Sequence, residues 1–552
     1  MTTGPLQDAG LMTAPPEDEA TSSAWTVLVT DKVSDSGLEP LRADERFRIV
    51  KVDDSTDPAF AEALRSAHGL IVRSATKVGP ELLAGAPELR VVGRAGVGVD
   101  NIAMEAATER GIAVINAPAG NTVSAAELTL ALILAMARRV PAADASVRRG
   151  EWARARFKGH ELRGRTLGLL GAGRIGGEVA RRARAFGMRV MAYDPYLTEE
   201  RAEELRVERA DLERVVAEAD ILSLHVPLTD DTRGLMNSER LARMKKGAYL
   251  VNVARGGVVD EDALVHALTS GHLAGAALDV YAAEPLPEDS PLREAPNLIL
   301  TPHLGASTAE AQELVAREIA GGVRAALADG DLSRALNAPG ISGDAMRALA
   351  PLFELGRRLG RLACALAPGG LEGIEIRYHG ESEEALRPLS SFVKVGLLED
   401  ILGRDHVNFV SAPYLARQRG IGIARTQLAR HAAYTEFVEV VVKAEEGDLK
   451  LAGALLGEGH PRIVRVGEYH VDIIPQGTLL VLHNRDVPGV IGRVGTLLGE
   501  MGLNIAEYHQ ARLSQGGDAL AVVAVDGEIS SAAREALLAL DEVASAQVVR
   551  LT

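Results

Sequence analysis

Between residues 25 and 305, runs of about four to six apolar residues alternate with longer stretches in which apolar positions recur at helical spacing. The runs in WTVLVT, FRIVKV, GLIVRS, LRVVGRAG and IAVINAP read as strands. So do TLGLL from Thr166, the run Met188 to Tyr193, and ILSLHVPL, AYLVNVARGG, AGAALDVY and LILTPHLGAS. Strands that alternate with helices predict parallel sheets covered on both faces. Ligands of such sheets lie at the carboxyl ends of the strands, so the polar clusters closing these runs are where chemistry is expected.

The long apolar helix spans Ser124 to Arg139, and its most apolar part, Ala125 to Ala137, carries Glu127. That part is shorter than the ~20 residues a bilayer crossing needs, so a buried core helix is expected. Met1 to Ser23 is polar and Pro-rich, with Asp8 and the acids Glu17 to Glu19 and no apolar stretch. It reads as a disordered extension covering residues 1–24 rather than a signal peptide. NAPGISGDAMRA, with Asn337, Pro339 and Gly340, reads as a linker, and apolar periodicity restarts at Leu349. From 345 to about 475 strands and helices alternate without a nucleophile, a metal-ligand set or a Gly-rich loop. The last segment, from TLLVLHNRDVPGVIG onward, reads strand, loop, helix, strand, with a second helix before QVVRL.

Composition narrows the class. In 552 residues, 47% apolar and 25% charged side chains indicate several globular domains; with only 3% aromatics, Leu, Val, Ile and Ala do the packing. A net charge of −16 argues against a nucleic-acid partner, whose phosphates demand clustered Lys and Arg. A single cysteine, Cys364, excludes an intramolecular disulfide and a Cys-rich metal cluster and fits a cytoplasmic protein.

The stretch TLGLLGAGRIGGEVARRARAFGMRVMAYD supplies the most specific chemistry. Gly171, Gly173 and Gly176 fall at G-x-G-x-x-G spacing between a strand and a helix. The first glycine permits the sharp turn, the second lets a pyrophosphate approach the backbone, and the third lets helix and strand pack closely. Asp194 closes the next strand where a ribose 2′-hydroxyl is bonded, and a carboxylate there repels a 2′-phosphate, so NAD is favoured over NADP.

Other strand ends complete the picture. Arg73 and Ser74 suit a small anion through charge-assisted forked bonds. The Val97 and Gly98 amides in GRAGVGVDN suit a carboxylate or form only a tight turn, and Asn121 follows NAPAG. Arg255, Asp279, Glu284 and His303 close the later strands. A histidine at neutral pH can exchange a hydroxyl proton while hydride moves to or from a nicotinamide. A carboxylate on its other ring nitrogen fixes the tautomer and favours the protonated ring, and Glu284 is the candidate. An arginine such as Arg255 holds a substrate carboxylate and polarises the adjacent carbonyl. Taken singly, each has an ordinary reading as a strand-end histidine, a loop acid beside Pro285 or a surface charge. Trp152, among Arg154, Arg156 and Lys158, reads either as an interface anchor or as packing inside one chain.

Residues 25 to about 335, through RSATKV, GRAGVGVDN, GAGRIG, NVARGG, AALDV and TPHLGAST, resemble the D-isomer-specific 2-hydroxyacid dehydrogenases and, within them, the long-form phosphoglycerate dehydrogenases. The resemblance implies a Rossmann-type NAD-binding domain, 121–304, inserted in a flavodoxin-like substrate-binding domain, 25–120 and 305–335. An α/β intervening domain, 341–475, and a βαββαβ ACT regulatory domain, 476–552, are implied to follow. It places the catalytic Arg, Glu and His on Arg255, Glu284 and His303. It places cofactor contacts on Thr76, Gly171, Gly173, Arg174, Ile175, Gly176, Asp194, Val253, Ala254, Arg255, Asp279, His303, Leu304, Gly305 and Ala306. Val226 stands where the family often has Thr. Substrate contacts are implied at Arg73, Ser74, Val97, Gly98 and Asn121, and at Arg154 from a second subunit.

By the same resemblance the activity is NAD-dependent oxidation of D-3-phosphoglycerate to 3-phosphohydroxypyruvate, the first step of L-serine biosynthesis, by a homodimer or homotetramer with no nucleic-acid or membrane partner. Dimerisation through the cofactor domains is implied, with Trp152 against the partner. The intervening domain, with Arg417 and Arg419 as candidates, is implied to bind an anionic effector. L-serine is implied as an effector at Asn484, Asp486 and Asn504. A reductase of glyoxylate or hydroxypyruvate and a non-catalytic NAD-sensing scaffold stay open as alternatives.

Overall fold

A computed structural model describes residues 25–429, 433–457 and 459–551; the extension expected over residues 1–24 lies outside the described residues. The first five apolar runs form one parallel sheet: β1 (Trp25–Val29), β2 (Phe47–Lys51), β3 (Gly69–Val72), β4 (Val91–Arg94) and β5 (Ala113–Asn116). Their order, β2-β1-β3-β4-β5, is that of a flavodoxin-like sheet. The helix Ala309–Asp329, some two hundred positions later, returns to pack on it. Gly93 sets how closely: a Cβ there would lie 2.8 Å from side-chain carbons of Ile319 and Val323.

The second sheet is also parallel. It contains β6 (Thr166–Leu170), β7 (Arg189–Tyr193), β8 (Glu208–Arg209), β9 (Ile221–Leu224), β10 (Tyr249–Asn252), β11 (Gly275–Leu278) and β12 (Leu298–Leu300). Their order, β12-β11-β10-β9-β6-β7-β8, reverses between β6 and β9, which makes that crevice the ligand position of a doubly wound sheet. Register aligns the strand ends, with Leu170 beside Leu224, Leu224 beside Asn252, Asn252 beside Leu278 and Leu278 beside Leu300. The residues that follow these strands therefore emerge in one row. The apolar helix Thr122–Arg138 packs into the same core. Its Ser124 Oγ donates to the Gly305 carbonyl at 2.7 Å, so the two segments that pass between the lobes lie side by side.

The third sheet is mixed: β13 (Leu371–His379), β14 (Gly422–Gln427), β15 (Glu436–Ala444), β16 (Leu449–Leu456), β17 (His460–Val466) and β18 (Tyr469–Ile473). β13 and β14 pair in parallel, and the other pairs are antiparallel. The helices Ala350–Leu366 and Leu386–Leu402 share a core with it. The last unit has β19 (Thr478–Arg485), β20 (Asn504–Arg512), β21 (Asp518–Asp526) and β22 (Val543–Arg550), with helices Val490–Glu500 and Ser531–Leu538, in βαββαβ order. Among the described residues no helix is long and apolar enough to cross a membrane.

The stretch read as a linker is fastened down. Asn337 Oδ1 accepts the Val114 N–H at 2.9 Å, and its Nδ2 donates to Thr108 Oγ1 and the Ile112 carbonyl, both at 2.9 Å. The Asn-Ala-Pro-Gly turn reverses the chain, but its first side chain completes the hydrogen bonding beside β5. One buried apolar cluster runs from Trp25 through the third unit to Leu551.

Candidate active site

Gly171 leaves β6 at φ +97°, and Gly176 comes so close beneath it that a Cβ at 176 would lie 2.2 Å from the Gly171 carbonyl oxygen. Either side chain would break the turn. Gly173 faces open space at the start of the helix Arg174–Ala185, as a backbone approached by pyrophosphate must. Asp194 is locked beside this turn: Oδ2 accepts the Ala172 N–H and Oδ1 the Tyr196 N–H, both at 2.9 Å. It lines a separate cavity with Tyr193, Glu199 and Arg209. The open helix start and the fixed carboxylate beyond it fit NAD.

A cavity of about 540 Å³ lies between the first two sheets, within the size range of a small-molecule site. Arg255, Glu284 and His303 all line it. His303 Nδ1 and Glu284 Oε2 are 2.6 Å apart, and Glu284 Oε1 accepts the Tyr281 N–H at 3.1 Å. Burial alone would raise the Glu284 pKa, but the hydrogen bond and charge of His303, the Tyr281 N–H and Arg255 together hold it below the usual carboxylate range. With Nδ1 so engaged, Nε2 is the ring nitrogen left for a substrate.

His303 has φ +54°, an uncommon conformation for a residue other than glycine. Asp279 imposes it. Its Oδ1 accepts the Thr301 hydroxyl at 2.6 Å and the Leu304 N–H at 2.7 Å, and Oδ2 accepts the Gly305 N–H at 2.9 Å. Burial pushes the Asp279 pKa up while these hydrogen bonds oppose it. Similarly, Asn252 shapes the turn before Arg255 by accepting the Ala254 N–H at 3.0 Å and donating to the Arg255 carbonyl at 2.8 Å.

The cleft also gathers Arg73, Ser74, Val97, Gly98 and Asn121 from the first lobe, with Ile175, Val226, Val253, Ala254, Gly305 and Ala306 from the second. Asn121 Oδ1 is buried there without a partner. Apart from the glycine turn, Arg174 and Asp194, three expected contacts do not line this cleft within the chain. Thr76 is buried, with its hydroxyl donated to Asp31 at 2.6 Å. Asp279 is fully buried, with both oxygens engaged by the loop after β12. Leu304 does not line the cleft, and Arg154, expected there only from a second subunit, sits on the turn Arg154–Phe157 near Trp152, which is 82% exposed.

Arg94 and His225 are among the residues not singled out from sequence that also line the cleft, as does Asp100 of the GRAGVGVDN strand end. Burial, with repulsion from Arg255 and Arg73, pushes the Arg94 pKa down to about 10. His225, paired with Ser223 Oγ at 2.9 Å, is pushed by burial to about 4 and is neutral at physiological pH. Arg94 and Asp100 belong to the GRAGVGVDN strand end, whose polar residues were the available signal.

The residues expected to share one effector site do not meet within a chain. Asn484 aligns with Ala519, whereas Asn504 aligns with Asp526, at the other end of β21. The antiparallel register separates them by seven residues, roughly 23 Å. Asp486 is engaged by Arg512 at 2.7 Å and Asn504 by Asp526 at 2.6 Å.

Comparison with known proteins agrees with this architecture. Residues 130–305 match the NAD binding domain of D-isomer specific 2-hydroxyacid dehydrogenases, 348–467 the D-3-phosphoglycerate dehydrogenase intervening domain, and 478–542 the ACT domain. The D-3-phosphoglycerate dehydrogenase of Bacillus subtilis is 39% identical over 532 residues, spanning 96% of this chain and 100% of that protein. The chain belongs to the D-3-phosphoglycerate dehydrogenase family. Its relative of the same name in Mycobacterium tuberculosis H37Rv is 40% identical over 95% of this chain and 99% of its own length. Among solved structures, the TT0316 protein of Thermus thermophilus is 41% identical, with a TM-score of 0.50, covering 55% of this chain and 96% of that one. A D-lactate dehydrogenase from Aquifex aeolicus, solved with NAD and lactic acid, is 33% identical, also with a TM-score of 0.50, over 56% of this chain and 97% of that one.

Proposed function

We propose that the protein oxidises D-3-phosphoglycerate to 3-phosphohydroxypyruvate with NAD, the entry step of serine synthesis. One observation carries the reading: the hydrogen-bonded pair His303–Glu284 and the guanidinium of Arg255 face one cavity that also contains Arg73 and Ser74 and borders the glycine turn. When bound, NAD supplies the hydride acceptor. His303 Nε2 takes the proton from the C2 hydroxyl, and Glu284 stabilises the imidazolium that results. Arg255 holds the substrate carboxylate, and Arg73 with Ser74 grips the phosphate. In the reverse direction the protonated ring returns its proton to the carbonyl oxygen while Arg255 polarises the bond.

The oligomer belongs to the same proposal. A second copy binds over the exposed Trp152, bringing Arg154 to its neighbour's cleft, and paired ACT units bring Asn484 and Asp486 of one copy to Asn504 of the other, where L-serine binds. The deciding experiment is NADH formation from D-3-phosphoglycerate with the keto product trapped, beside glycerate lacking the phosphate. Turnover of the unphosphorylated acid at equal or better kcat/KM would overturn the assignment.

A further inference from the structure

Arg255 is not left to find its own orientation. Its Nε donates to Asp100 Oδ2 at 3.1 Å and its Nη1 to the Ala254 carbonyl at 2.7 Å. Gly98 lies directly against the third nitrogen, since a Cβ at that position would come 2.0 Å from Nη2 and 2.6 Å from Asp100 Oδ2. Asp100 and Gly98 follow β4 of the first lobe, whereas Arg255 and Ala254 follow β10 of the second. The guanidinium is therefore fixed in plane by contacts from both walls of the cleft. Nη2 and the second hydrogen of Nη1 remain for a ligand.

Charge adds a second argument. Arg73, Arg94 and Arg255 all line the cavity, against the two carboxylates Asp100 and Glu284. Glu284 is already engaged by His303 and Tyr281, while Asp100 accepts no side-chain hydrogen bond but that of Arg255 among the described residues. Its own side chain is 61% exposed and that of Arg255 only 23%, so the ion pair contributes little to folding and its effect lies in orientation.

We propose that Asp100 is a positioning residue that acts through Arg255, clamping Nε across the cleft so that the remaining guanidinium hydrogens face the carboxylate of a 2-hydroxy or 2-oxo acid. The inference rests on the reading of Arg255 as the carboxylate holder. It also makes the grip conditional on lobe approach, because half of the clamp belongs to each lobe.

The test is a double-mutant cycle on the full-length protein with Asp100→Ala, Arg255→Lys and the pair, supported by Asp100→Asn. Two readouts are taken: steady-state kinetics with D-3-phosphoglycerate, and equilibrium binding of oxalate, a mimic of the 2-oxo acid carboxylate, to the protein saturated with NADH. Asp100→Ala is expected to lower kcat/KM and weaken oxalate by about 10- to 100-fold, as for a group displaced by about an ångström. NADH affinity should stay within about twofold, and Asp100→Asn, whose amide oxygen can accept the same N–H, should recover about a third or more of the loss on a logarithmic scale. In the Arg255→Lys background, Asp100→Ala should add less than about threefold. Equal losses in both backgrounds, no loss in either, or tighter oxalate binding by Asp100→Ala would each overturn the proposal; the last would make Asp100 a competitor for the arginine. Absence of turnover in the unmutated protein counts against the proposed activity alone, since the oxalate arm of the cycle needs no turnover.

Discussion

His303 and Glu284 stand nineteen positions apart in the chain, yet Nδ1 and Oε2 meet at 2.6 Å in the cleft between the first two sheets. The carboxylate reaches the ring because Asp279 draws the loop after β12 back over the end of β11 and sets His303 in its left-handed conformation. The pair is thus a product of the buried aspartate behind it.

Replacing Glu284 by Gln keeps the shape and removes the charge opposite the ring. With turnover resting on that charge, kcat should fall by about 10² while the dissociation constant for NADH changes little. Because Glu284 is held below the usual carboxylate range, it is ionised throughout mildly acidic and neutral solution. Protonation of Glu284 itself should therefore add no step to the pH profile of kcat between about pH 6 and pH 9. A protonated Glu284 carboxyl appearing within that window, followed by infrared difference spectroscopy against Glu284→Gln, would overturn this.

Asp194 bonds two backbone amides beside the glycine turn. Asp194→Ala should weaken NAD by about tenfold or more and narrow the preference over NADP, because the change removes both a hydroxyl acceptor and a repulsive charge. Steady-state kinetics with the two cofactors measures both effects.

Asn337→Ala should unfold at lower denaturant, with a loss of about 2–3 kcal/mol. The substitution leaves the Val114 N–H and the Ile112 carbonyl without their partner. An unchanged midpoint would mean that water replaces the side chain without cost.

Lys394, on the helix Leu386–Leu402, is 4% exposed, and burial together with Arg425 and Arg417 pushes its ammonium down to about 8. Between about pH 8 and pH 10.5 the unfolded chain binds a proton that the folded chain has released, so this group makes stability rise with pH over that window, by on the order of 3 kcal/mol. Below it, folding carries the full cost of the buried charge. Lys394→Met should raise the midpoint of thermal unfolding at pH 7 and flatten the rise above pH 8.

The strand ends were legible because continuous apolar runs mark strands buried on both faces, and strands in a common register bring their last residues to one edge. Gly171, Asp194, Arg255 and His303 could be placed by that logic. The ties from Asp279 to the Leu304 and Gly305 amides could not be read, since a strand-end aspartate looks the same whether or not it holds a loop. Asp100 gains meaning from a residue 155 positions away on the other lobe, a relationship with no local signal. Asn504 was grouped with Asn484 by resemblance to ACT domains, and antiparallel register, which sets them at opposite ends of one chain's sheet, could not be read from the residues. At Asn337 the turn signal was right about the reversal and silent about what the side chain binds.

The hydrogen bond from Ser124 to Gly305 sets how the catalytic chamber can breathe. Two covalent crossings pinned at one place behave as a door hinge, favouring rotation about that line and resisting sliding of one half past the other. Loss of that tie, as in Ser124→Ala, would slacken the hinge line and alter how the two halves swing toward one another.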